Sequence, residues 1–304
     1  MSRTCCIALL LSLVAACGST CQQDQRTEDA GTAASAESSA KVELEGVDTS
    51  KLTTREHAAW SGYVSELLAP CPEVAVSIAQ CVREKRDCAT CVPAAKFLLR
   101  QVQAGNPKEV VADLFAARFD KKRVKTIALG ESPAKGAESP VVTLVEFADF
   151  ECEGCAMAYP VLEDIYKKHG KKMKFVFKNF PLEEKHPHAK LAAQAAYAAQ
   201  QQDQFWKMHR ILFENQDRLT EPDLLDFAKE VGLDVERFKK DMHSDAAKER
   251  VEQEKKQGDT LGVDSTPTIF INGRQCDLQK LGSIEELEHW ITLEIELADK
   301  SKGR

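Results

Sequence analysis

Cys152-Glu153-Gly154-Cys155 is where the sequence offers the clearest chemistry. Two cysteines three residues apart on a first helical turn bring their sulfurs within disulfide reach. A helix N-terminus, with its unsatisfied N–H groups and positive dipole end, lowers the pKa of the first cysteine and makes it the attacking thiolate. Cys155, one turn deeper, suits the resolving role. Such a pair carries out thiol–disulfide exchange. A static disulfide or half a metal site is the competing reading, and the strand-then-helix setting argues against both. Glu146 lies six residues before Cys152 on the incoming strand and is expected to point inward beneath the motif. A buried carboxylic acid has a raised pKa and can relay the resolving thiol's proton. Thr266-Pro267 stands at the start of a later strand. It is a candidate cis peptide whose flanking backbone can pair with an extended substrate.

The elements that must position these groups are legible around them. Residues 141–147 form a near-continuous β-branched run, the pattern of a buried strand. Residues 155–169 read as an amphipathic helix closed by Gly170, and 174–180 as a second central strand. Residues 187–258 read as helical, opening Ala-rich and including a helix begun by Thr220-Glu221-Pro222. Residues 268–271 and 274–278 read as a hairpin about an Asn272-Gly273 turn, and 283–297 as a capped terminal helix. A further short strand is expected at 124–129. This order predicts an α/β, thioredoxin-like fold with a helical insertion at about 186–258.

Upstream, residues 51–120 repeat apolar side chains at helical spacing: Trp60, Val64, Leu67, then Ile78, Val82, then Leu98, Val102, then Val111, Leu114. An all-α module this small gains from staples, and it contains Cys71, Cys81, Cys88 and Cys91. Structural disulfides are expected rather than zinc or a second redox relay, with three pairings open. One straight helix over 72–83 would hold Cys71 away from Cys81. Cys21 and Cys276 read as incidental or partner-seeking thiols. His186-Pro187-His188 reads as a solvated helix start rather than a metal site, and Lys167, Lys168, Lys171 and Lys172 as complements to a helix dipole.

Val14-Ala15-Ala16-Cys17 follows a short apolar run from Ile7 and resembles a bacterial lipobox, with Cys17 the acylated residue. Residues 1–16 are then a lipoprotein signal peptide carrying Cys5 and Cys6 away, and polar residues 17–50 a tether. Gly18 after the lipobox cysteine implies no inner-membrane retention, which favours the outer membrane of a Gram-negative envelope. The run from Ile7 is too short to span a bilayer, so multi-pass readings are excluded. Among 304 residues the net charge is -7, which supplies no positive field for nucleic acid. Eleven cysteines fit an oxidising compartment.

In combination, the run from Glu146 through Cys155, Phe177-Lys178-Asn179-Phe180-Pro181-Leu182, Phe205-Trp206, and Thr266-Pro267-Thr268-Ile269-Phe270-Ile271-Asn272-Gly273 resemble the DsbA-like thiol–disulfide oxidoreductases. The resemblance extends over about 124–297, with residues 121–304 as the domain. It implies Cys152 as nucleophile, Cys155 as resolver, Pro267 as a cis-proline facing them and Glu146 as the buried acid, with Thr266 and Pro267 meeting substrate. It implies protein thiols as substrates, a redox partner that the sequence does not identify, and no cofactor or metal. Strongly oxidising members carry Pro-His between the cysteines, and here the dipeptide is Glu153-Gly154. Asp149, Glu151 and Glu153 crowd the motif, so the Cys152 pKa is expected above that of a Pro-His site. The potential is then expected between roughly -270 and roughly -120 mV, nearer the former. A metal-binding chaperone using the same thiolates and a non-catalytic interaction lipoprotein are the competing classes.

Overall fold

The structure is a computed structural model that describes residues 41–71, 75–281 and 285–302. Cys5, Cys6, Cys17, Cys21 and the cap residue Ser283 lie outside the described residues.

The described residues begin with four helices, α1 (Thr54–Glu66), α2 (Ile78–Arg83), α3 (Cys91–Gln103) and α4 (Lys108–Phe119). α1 opens with a capping box. The Thr53 hydroxyl accepts from the Glu56 N–H, and the Glu56 carboxylate accepts from the Thr53 N–H. Its buried residues His57, Trp60, Ser61 and Val64 follow a one-face spacing. The Trp60 indole donates to the Ala95 carbonyl at 3.0 Å, tying α1 to α3. The expected tether ends sooner than residue 50. Val42, Leu44 and Val47 are buried, and the Val42 N–H donates to Ser61 Oγ at 3.1 Å. Apolar residues at alternate positions in an otherwise polar stretch had a core to enter, which composition alone does not reveal.

A five-stranded sheet follows, in the order β1 (Ala134–Gly136), β3 (Met173–Asn179), β2 (Val142–Ala148), β4 (Thr268–Ile271), β5 (Arg274–Cys276). β2 and β3 are parallel and every other pairing is antiparallel. The parallel pair needs a crossover, supplied by α5 (Glu153–His169). Strand 124–129 does not form. A single turn of 3-10 helix (Lys121–Arg123) leads into extended chain held to the hairpin by the Lys125 N–H on the Gly273 carbonyl at 2.8 Å. Ile127 and Leu129 still pack on the core, so alternation here records burial without a ladder. The edge strand is Ala134–Gly136 instead.

Five helices lie between β3 and β4: α6 (Ala189–Gln200), α7 (Phe205–Glu214), α8 (Glu221–Val231), α9 (Val235–Met242) and α10 (Asp245–Thr260). The first four pack around Phe150, Phe177, Phe205 and Phe213 beneath the Cys152 turn, and α10 lies against Phe180 and Phe147. The short helix α11 (Leu278–Leu281) and the long α12 (Glu285–Lys302) complete the chain. One apolar core runs from Trp60, Ile78 and Leu98 in the helical module to Val142, Ile269 and Ile291. Residues from Ser39 to the C-terminus accordingly form one compact unit. The buried Arg118 guanidinium fastens the module to α12, donating to Glu294 at 2.9 Å and the Trp290 carbonyl at 3.1 Å.

Candidate active site

β2 ends at Ala148, and the chain turns through Asp149 to place Cys152 as the N-cap of α5. No side chain caps this helix, so its first N–H groups face the Cys152 sulfur. Cys152 is half-buried, whereas Cys155 is fully buried, and both are thiols here. Thr266-Pro267 is a cis peptide whose Thr266 carbonyl accepts from the Cys152 thiol at 3.3 Å. Gly154 sits against this loop: a Cβ there would come 3.4 Å from Pro267 Cδ and 3.7 Å from Cys152 Sγ. A larger residue would have to share that space with the cis-proline.

The two thiols are driven in opposite directions. A hydrogen bond from the Cys155 thiol is the main influence lowering the Cys152 pKa, to about 5, against the opposing effect of burial. The Thr266 hydroxyl and the N–H groups of Gly154 and Cys155 add to it. The Thr266 hydroxyl is buried with no partner in the thiol form. Burial pushes the Cys155 thiol well above its ordinary range, helped by the Cys152 sulfur and by Glu146. Glu146 is 2% exposed, and Oε1 has no hydrogen-bond partner. Burial, then the charge of Glu163, raises it to about 8, against the pull of Lys135.

Several residues that position this site escaped sequence reasoning. Lys135 on β1 pairs with Glu163 and lies over the rings of Tyr166 and Trp206 at 4.5 and 4.1 Å. Gln216, in the loop after α7, donates to the Phe150 and Cys152 carbonyls at 2.8 and 2.9 Å. It therefore pins the active turn from the helical insertion. His209 is fully buried among Phe150, Phe177 and Phe213, where burial keeps its ring neutral. His186 and His188 do stand at a helix start, His188 being the N-cap of α6, but neither side chain is merely solvated. His186 Nδ1 lies 2.7 Å from Asp149, and His188 Nδ1 lies 3.1 Å from Glu151. Asp149 also accepts from the Glu151 and Leu182 N–H groups. Two of the three acids thought to crowd Cys152 are thus hydrogen-bonded elsewhere, and no carboxylate is among the causes of its shift. No sequence signal tied His186 to Asp149, which lie 37 positions apart.

A cleft of about 730 Å³ opens beside the motif, lined by Gly154, Met157, Thr266, Pro267, Gln275 and Asp277. Met157 is 65% exposed, an apolar side chain on the rim. Cys276, on β5, is a buried thiol whose pKa burial raises strongly.

In the helical module the disulfides are Cys71–Cys88 and Cys81–Cys91, each with Cα atoms 6.0 Å apart. Cys71 is indeed not bonded to Cys81, but not for the reason of a straight helix. The chain doubles back, with the Ala69 N–H donating to the Val76 carbonyl, and α2 starts only at Ile78. The Cys71 and Cys81 sulfurs end 3.7 Å apart. All four sulfurs lie within 4.8 Å of one another, as a metal centre would require. Paired as two disulfides they offer no thiolate to a metal, so zinc could bind there only after an external reductant had delivered two electrons to each bond.

Residues 122–292 match the family model described as thioredoxin, more than half of the chain. Among curated proteins, the Na+/H+ antiporter NhaA 3 of Salinispora tropica is 38% identical over 141 residues. The antiporter NhaA of Herminiimonas arsenicoxydans is 39% identical over the same length. Each alignment covers 46% of this chain and 22% of the antiporter, so the chain spans about a fifth of the curated relatives it matches. Among the described residues no helix is long and apolar enough to cross a membrane. Among solved structures, oxidised BdbD from Bacillus subtilis is 26% identical with a TM-score of 0.51. That match covers 57% of this chain and 97% of BdbD.

Proposed function

Because the chain belongs to the thioredoxin family and has its DsbA-like form, we propose that it exchanges disulfides with protein thiols through Cys152 and Cys155. The observation that carries the reading is the contrast between the two sulfurs. One is half-exposed with its pKa lowered to about 5, the other buried with its pKa raised. In the oxidising direction a substrate thiolate attacks Cys152 Sγ, forms a mixed disulfide, and expels Cys155 as a thiolate. Buried Cys155 cannot hold that charge, and Glu146, still protonated at neutral pH, supplies the proton. A second substrate thiolate then attacks the substrate sulfur, and Cys152 departs as a stabilised thiolate. Reduction runs the same steps backward, with the Glu146 carboxylate accepting the proton. The cis Thr266-Pro267 peptide offers backbone beside Cys152 for an extended substrate, and the cleft at Met157 offers it an apolar contact.

The same reading locates the enzyme at the cell envelope, tethered by acylated Cys17. The lipobox pattern and the disulfide-bonded module support this. The test is a trap. Cys155→Ala incubated with a reduced, unfolded protein substrate in the presence of oxidised glutathione should accumulate mixed disulfides at Cys152. Cys152→Ser should form none and should not turn over. Full turnover by Cys155→Ala would refute the assignment of roles, and stoichiometric retention of Cu(I) without turnover would favour a metal carrier.

A further inference from the structure

The two disulfides of the helical module differ in access while touching each other. Cys81 and Cys91 are 1% and 3% exposed, although a groove of about 390 Å³ reaches their edge. Cys71 and Cys88 are half-buried. The Cys71 sulfur, bonded to Cys88, lies 3.4 Å from that of Cys91 and 3.7 Å from that of Cys81. It therefore rests side-on against the inner bond, at van der Waals contact. On the other side, Cys88 opens into a cavity of about 450 Å³ between α3 and α12. Lys96, Arg100, Arg118 and Lys300 line that cavity against two carboxylates, Glu286 and Glu296. Arg118 is engaged by Glu294 and Arg100 by Glu286, which leaves Lys96 and Lys300 against Glu296. The volume suits a small molecule and this remaining excess of cations favours an anion.

We propose that the module is a second redox centre. Its outer disulfide Cys71–Cys88 accepts a low-molecular-weight anionic thiol, and its inner disulfide Cys81–Cys91 is reached through Cys71. The thiolate attacks Cys88, forming a mixed disulfide there and breaking the bond to Cys71, which leaves as a thiolate. One side-chain rotation turns Cys71 from side-on contact into line with the inner bond. Its attack forms a bond to Cys81 or Cys91 and releases the other as a thiolate. The released sulfur, within 4.8 Å of Cys88, attacks the mixed disulfide and expels the small thiol unchanged. The net result is an exchange of pairings with no electrons consumed. If a second small thiolate attacks its counterpart in the mixed disulfide first, a small-molecule disulfide leaves and the module retains two electrons. This inference does not rest on the reading of Cys152.

The experiment uses the full chain with Cys152→Ser and Cys155→Ser, so that only the module can exchange. Adding Cys88→Ala frees Cys71 without any reductant. After acid quench and alkylation, peptide mapping should find Cys71 joined to Cys81 or Cys91 and the other alkylated. Cys71 as the only free thiol of the module, beside an intact Cys81–Cys91 bond, would overturn the relay. Should that variant misfold, limiting glutathione added to the chain with its module intact tests the same idea. A glutathione adduct on Cys88 and crossed pairs to Cys71 are expected, at least tenfold faster than with cationic cysteamine. Equal rates for the two thiols, or no adduct on the folded chain, would overturn the site. In a Cys71→Ala/Cys88→Ala chain the inner bond should lose at least tenfold in rate with glutathione. An unchanged rate there would show that it reacts directly.

Discussion

Replacing Glu146 with Gln tests the buried acid without relying on any substrate. Unfolded, this carboxyl titrates near 4.5; folded, burial holds it at about 8. Between those values the native chain retains a proton that the unfolded chain has lost, so stability falls as pH rises. The loss starts near pH 4.5 and is complete above pH 8. Gln cannot titrate, and all other groups cancel in the difference between the two proteins. From pH 5 to pH 8 the two states differ by somewhat less than one proton, which amounts to about 3.5 kcal/mol at 1.36 kcal/mol per pH unit. The side chain is 2% exposed, so solvent screens little of this. Urea unfolding of both proteins in the reduced form, at intervals from pH 5 to pH 8, reads the difference directly. The stability of Glu146→Gln relative to wild type should climb steadily across that interval. A difference that stays flat would mean that Glu146 is ionised in the fold and cannot supply a proton to Cys155.

The Cys152 thiolate absorbance should titrate with a midpoint of about 5. In Cys155→Ala, loss of one charge-assisted hydrogen bond worth ~1.5–3 kcal/mol should raise the midpoint by roughly 1–2 pH units; an unmoved midpoint would assign the effect to the helix N–H groups. Gln216→Leu removes the side-chain donor from the Phe150 carbonyl, at a cost of about 1–3 kcal/mol, while the Cys152 carbonyl keeps the Ala156 N–H. It should lower the urea midpoint and slow exchange, and an unchanged rate would separate the insertion from catalysis. Cys17→Ala should move the protein from the membrane to the soluble fraction, since nothing else read from the sequence inserts; continued membrane residence in high salt would refute the lipobox.

What the sequence determined by itself was local. The β-branched run of β2, the cysteine pair opening α5, the Asn272-Gly273 turn and the capping residues each act over a few neighbours. Their consequences can therefore be read in a single dimension: sheet core, redox motif, hairpin, helix start. Asn272 and Gly273 do take positive φ, 48° and 77°, as the tight turn requires. Burial of Glu146 was suggested by its place on β2, because a strand in mid-sheet has no wet face once helices cover both sides.

Tertiary structure decided whatever depends on which distant groups meet. Residues 124–129 form no strand: Ile127 and Leu129 pack partly against the core while Val124 stays exposed. The acids around Cys152 looked like a reservoir of repulsion in the sequence. Folding brings His186 and His188 to two of them, while the Cys155 thiol and the Thr266 hydroxyl supply the stabilisation that sets Cys152 at about 5. The causes that set it are these contacts rather than the charges of the motif. The disulfide pairing was equally beyond the sequence. Four cysteines permit three arrangements of similar loop entropy, and only the fold shows that Cys71 meets Cys88 and Cys81 meets Cys91. A pKa or a disulfide partner is a property of a neighbourhood, and neighbourhoods are made by contacts between residues that the chain keeps far apart.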